Sequence, residues 1–151
     1  MLGFLKSFFG NDNRDSQLEV ELAIAADGLD IQMAMAAHDN WKLRLQAYLN
    51  GASKEDFLPE VICFDDRCDL GRWIHGDGAA RLGRYPGFTA LLGHHKMFHY
   101  AASNVVALSK GGKEAEAQKM LEGSFSSFSA AVNQDLMALK QVVERVKVKQ
   151  K

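Results

Sequence analysis

The chain has 151 residues, 47% apolar and 25% charged, with 18 basic against 19 acidic side chains. That length suits one domain with a real core, and the composition excludes disordered, collagen-like and disulfide-scaffold classes. A formal net charge of −1 leaves no electrostatic footprint for nucleic acid.

The two cysteines, Cys63 and Cys68, are too few and too close in sequence to staple such a domain. They point to a reducing, cytoplasmic setting, where a cysteine near histidines serves more readily as a metal ligand or reactive thiol. No apolar run approaches the roughly 20 residues of a membrane span, and the start lacks a signal-peptide pattern.

Residues 1–14 read as a flexible N-terminal arm. A helical start would gather Leu2, Leu5, Phe8 and Phe9 on one side, suited to a membrane surface or a partner. From about Asp15 to Leu49 the sequence predicts one long helix, with Ile24, Ile31, Met35, His38, Leu45 and Leu49 on an apolar stripe. Asn50-Gly51 is a stop signal, and Ser53 followed by Asp56 predicts a capped restart.

From Phe57 to Pro86 the periodicity fades among Pro59, Pro86 and several glycines, predicting short helices packed over the end of a bundle. Pro86 suits the first turn of a new helix, along which Phe88, Leu91, Leu92, His95, Phe98, His99, Ala102 and Val105 share one face. Gly111-Gly112 breaks it. A last helix is predicted from about Lys113 to Lys147, with Leu121, Phe125, Phe128, Val132, Leu136, Leu139, Val143 and Val146 inward.

The expected fold is all-α. It is an antiparallel four-helix bundle spanning 15–147, with a short-helix and loop insertion between the second and third long elements. Residues 148–151 form a basic C-terminal tail, and with Arg145 and Lys147 its lysines suit a helix C-terminus. The first and last helices are longer than one small bundle needs, which favours a homodimer.

His95 and His99, four apart on a helix, lie on one face and can reach a single ion. The residues between them are Lys96, Met97 and Phe98, with no glutamate where a zinc-protease helix carries its base. His38 sits at an inward position, and three buried imidazoles are satisfied together by a shared cation. Cys68 adds a thiolate, completing the nitrogen and sulfur donor set that zinc takes tetrahedrally.

The segments His38-Asp-Asn-Trp41, Cys68-Asp-Leu-Gly-Arg-Trp73 and His95-Lys-Met-Phe-His99 together resemble the chemoreceptor zinc-binding (CZB) domain family. Their order and intervals match, over about Leu29 to Val146. The resemblance implies one zinc ion per chain on His38, Cys68, His95 and His99. It further implies a sensory role in which zinc availability, or oxidation of Cys68 by an oxidant such as hypochlorous acid, controls a chemotaxis or cyclic-di-GMP partner. No receptor hairpin, transmembrane pair or cyclase segment accompanies the motifs, so action in trans on a chemoreceptor or diguanylate cyclase is expected of a stand-alone module.

Trp41 and Trp73 are candidate walls of the site, with ordinary core tryptophans the equal alternative. Asp39, Asp65, Asp66 and Asp69 read as solvated loop acids, any one of which is also placed to accept an imidazole N–H. His75 is an auxiliary donor candidate, His94 is expected at the surface, and Cys63 is a candidate resolving thiol. No enzymatic activity is expected. A catalytic zinc keeps a position open for water, whereas four donors fill the shell here, and the facing helices lack the Glu-x-x-His motifs of a di-iron bundle. The alternatives are a zinc-stapled dimerisation module or a zinc buffer without a switch.

Overall fold

The computed structural model describes residues 15–149, and their regular structure is entirely helical. In chain order the elements are α1 (Asp15–Ala26), α2 (Ile31–Leu49), α3 (Pro59–Ile62), α4 (Asp69–Trp73), α5 (Ala79–Leu82), α6 (Pro86–Lys110), α7 (Glu114–Met120) and α8 (Ser126–Lys149). A kink at Gly76 (φ −111°, ψ −111°) within Ile74–Gly78 joins α4 to α5, and a wide π-type turn at Leu121–Phe125 joins α7 to α8. The expected arm, 1–14, with its four apolar residues, lies outside the described residues, as do Gln150 and Lys151. Val148 and Lys149 of the expected tail continue α8.

The helix expected over Asp15–Leu49 is two helices. The chain turns at Asp27 and Gly28, and Asp30 restarts it as an extended N-cap whose carboxylate accepts the Met33 amide at 2.9 Å. The break rotates α1 relative to α2, so Ile24 leaves the common stripe and is 54% exposed. Helix α2 stops at Asn50, and Gly51 takes φ +71°, a left-handed conformation that glycine adopts without a Cβ clash. No helix restarts at Ser53. Its hydroxyl accepts the Glu55 amide at 3.0 Å, and helix resumes only at Pro59.

Helices α7 and α8 form one rod. Ala117, Leu121, Phe125 and Ser129 are all buried, although twelve residues of regular α-helix overshoot a face by about 120°. The residue added by the π turn removes most of that drift. Three successive steps of four residues are therefore the sequence trace of this turn.

Helix α6 packs against α3, α7 and α8, while α8 also covers α1 and α2. Phe98 and Leu91 of α6, Leu45 of α2, Leu70 of α4, and Phe125 and Leu136 of the α7–α8 rod are fully buried in one cluster. The inward face of α6 thus lies in the core, and it carries His95 and His99. Among the described residues, no helix is long and apolar enough to cross a membrane.

Candidate metal centre

His38 from α2, Cys68 at the head of α4, and His95 and His99 from α6 converge, one ligand atom from each lying within 4.8 Å of the others. The three imidazoles are buried and Cys68 is half-buried. His95 Nε2 lies 3.3 Å from Cys68 Sγ and 3.2 Å from His99 Nε2, with 3.8 Å between Cys68 Sγ and His99 Nε2. A zinc tetrahedron with ordinary bond lengths has nitrogen–nitrogen edges of about 3.3 Å and nitrogen–sulfur edges of about 3.5 Å. The three edges among Cys68, His95 and His99 fit that set, and His38 completes it from within 4.8 Å.

Two ring orientations are held by backbone. His38 Nδ1 donates to the Ala34 carbonyl at 2.6 Å and His99 Nδ1 to the Ile62 carbonyl at 2.9 Å, which leaves Nε2 of each ring as the free lone pair. His38 Nε2 is buried without a hydrogen-bond partner, a costly arrangement unless something binds there. The Ile62 carbonyl ends the single turn of α3, whose Pro59 carbonyl accepts the Ser103 hydroxyl of α6 at 2.8 Å. His95 differs: its Nδ1 is buried without a partner.

Phe98 lies among the ligands, its ring centroid 4.9 Å from that of His38, 5.4 Å from His99 and 6.5 Å from His95. Phe125, at the end of the π turn, supports it from behind at 4.9 Å. Sequence reasoning placed Phe98 only on a core face. Its position between two ligand histidines was the available signal for a floor to the site.

Cys68 is itself the N-cap of α4, and its sulfur accepts the Gly71 amide at 3.3 Å. Asp65 brings its carbonyl so close to Gly71 that a Cβ there would overlap the oxygen. The Cys-x-x-Gly spacing thus joins two requirements: an amide three residues on to hold sulfur, and no side chain where the incoming loop passes.

Electrostatics prepare the histidines for a cation. Burial, then the neighbouring His99, His38 and His75, pushes His95 down to about 2. Burial also lowers His38 and His99 despite their carbonyl partners. All three rings are neutral at pH 7. Burial pushes the Cys68 thiol up, against the Gly71 amide, so without a cation it keeps its proton. A bound metal ion deprotonates such a thiol.

The remaining candidates divide. Trp73 lines an open cavity of about 820 Å³ together with His38 and Cys68, and its indole N–H donates to the Ala25 carbonyl at 2.8 Å. Trp41 stacks instead on Phe57, at 5.6 Å, with the Arg44 guanidinium 4.2 Å above its ring. It secures the connection after α2. None of the four acids accepts from a ligand imidazole: Asp39 accepts from Asn133, Asp65 pairs with His75, and Asp69 pairs with Arg72. The acceptors are backbone carbonyls.

His75 is exposed and outside the ligand set. His94 turns away from the site, as expected, but is half-buried and meets Asp135 at 2.7 Å. Cys63 is a free thiol 3.6 Å from the Glu60 carbonyl.

Residues 38–106 match the sequence profile of the chemoreceptor zinc-binding domain family, an interval that contains all four ligands. No curated protein and no solved structure matches the chain.

Proposed function

Because the chain carries a chemoreceptor zinc-binding domain, we propose that it is a cytoplasmic sensory module, acting as a homodimer of four-helix bundles on a chemoreceptor or diguanylate cyclase. Zinc availability and oxidation of Cys68 are its inputs. One observation carries this reading. Three ligands sit on long helices in the core, whereas Cys68 heads a single-turn helix and is half-exposed beside an open cavity.

A bound zinc ion supplies a thiolate that keeps its nucleophilicity at neutral pH. With hypochlorous acid the sulfur gives up two electrons, becoming a sulfenic acid as chloride leaves. The oxidised sulfur is a poorer donor. The Cys68 segment is then held only by the Gly71 amide, the Trp73 bond and packing, while His38, His95 and His99 keep their places. A displaced Cys68 segment is the signal a partner reads.

The test is the metal content of the purified chain before and after one equivalent of hypochlorous acid, with Cys68→Ser in parallel. About one zinc per chain, released by oxidant in the wild type, is expected. Zinc retained throughout the titration would remove the redox input. Chelation separates a switch from the staple or buffer reading: a sensor passes to a second folded state, whereas a staple loses helix content when stripped.

A further inference from the structure

Of the four donors, only His38 and Cys68 line the 820 Å³ cavity. His95 and His99 are sealed in the core, at 0% and 5% exposure. The cavity lies between the turn joining α1 to α2 and the segment around α4, and its charged lining residues are Asp30, Asp69, Arg72 and Asp77. Arg72 pairs with Asp69 and donates to the Arg67 carbonyl at 2.6 Å. Asp30 binds only the Met33 amide, and no ion pair engages Asp77 among the described residues. Among the described residues neither carboxylate has a cationic partner, and both line an opening that leads to the unpartnered, 3% exposed His38.

We propose that this cavity is the entrance to the metal centre, and that Asp30 and Asp77 make it a charge filter. Divalent cations are drawn in, uncharged thiol-reactive molecules pass, and anions are held off. A cleft lined by one sign of charge focuses the field and changes encounter rates in this way. The inference rests on the proposed sensor reading, because it decides which molecules reach Cys68. An oxidant that is neutral when protonated would enter in that form rather than as its anion.

Asp77 is exposed just after the kink at Gly76, so Asp77→Lys reverses charge at the opening without touching the core. Glu116→Lys, on the exposed face of α7, is the charge-matched control. The full-length chain is treated with neutral iodoacetamide or anionic iodoacetate, and Cys68 and Cys63 modification is read by peptide mass.

In Asp77→Lys the neutral-to-anionic rate ratio at Cys68 is expected to fall by about threefold or more at low ionic strength. Cys63 and the Glu116→Lys chain stay unchanged. Zinc uptake by the stripped chain is expected to slow by a similar factor in Asp77→Lys, with its dissociation rate unaltered. Equal shifts at both cysteines, equal effects of the two variants, or no change in either measurement would overturn the filter. The alkylation ratio needs no metal, so a chain that binds no zinc sinks the sensor reading while the filter is still judged.

Discussion

The two halves of the metal centre are built differently. His95 and His99 lie mid-way along a 25-residue helix, and His38 stands on α2 with its ring clamped to the carbonyl of the preceding turn. Cys68 begins a five-residue helix in a region of short turns, and its sulfur rests on one amide. Rigid helices preorganise three donors, so little ordering is left for metal binding to supply there. The fourth donor depends on the metal for its thiolate state and for much of its fixation. On the proposed reading, the contrast separates holding a cation from reporting its loss.

The largest expected effects come from removing one donor from each half. His95→Ala should weaken zinc binding by more than about 100-fold, and it also opens a void among fully buried neighbours, lowering the stability of the stripped chain. Cys68→Ser should weaken zinc binding too, yet leave the stripped chain close to wild-type stability. Competition with a fluorescent chelator and thermal unfolding read the two quantities. If both variants destabilise the stripped chain alike, the two halves are not distinct.

Acid sharpens the same contrast. The folded-state values of His38, His95 and His99 lie below the ordinary 6.5, so below that pH the unfolded chain binds more protons than the folded one. Stability from these rings is complete above 6.5 and is lost as pH falls towards the value of about 2 for His95. Each ring contributes a slope of at most about 1.4 kcal/mol per pH unit. For Cys68, raised above its ordinary 9.0, the loss comes as pH rises through 9. Urea midpoints of the stripped chain should therefore peak between these limits and decline steeply on the acid side.

Gly71→Ala tests the cysteine half alone. The new methyl must displace the Asp65 carbonyl and with it the loop that carries Cys68, which should cost about tenfold in zinc affinity. The ring signals of His38 and His95 in NMR spectra of the stripped chain should barely move, whereas that of His75, paired with Asp65, should shift. Trp73→Phe leaves every ligand in place and removes one buried hydrogen bond, at a cost of about 1 kcal/mol, read as a lowered unfolding midpoint.

The ligands were legible in different ways: His95 and His99 from the four residues that set them on one helical face, His38 from its inward position, and Cys68 as the thiolate that completes the donor set. The all-helical class followed from long apolar stripes and few prolines. The break at Gly28 was not legible, because the apolar residues on both sides of it satisfy a continuous helical stripe. Asp30, whose carboxylate caps α2, was the local clue. Nor was the support of the imidazoles. Ala34 and Ile62 act through their carbonyls, which every residue has, so no side-chain pattern marks them, whereas the nearby aspartates drew attention and make other bonds.

The bond from Trp73 to Ala25 ties the Cys68 segment to a place remote from the ligands. The Ala25 carbonyl belongs to the last turn of α1 (Asp15–Ala26), where helix carbonyls have no partner of their own. An indole from 48 residues downstream occupies it. If α4 is displaced, that helix terminus loses a fastener and frays. Amide exchange in the closing turn of α1 would then report the chemical state of a sulfur atom it never touches.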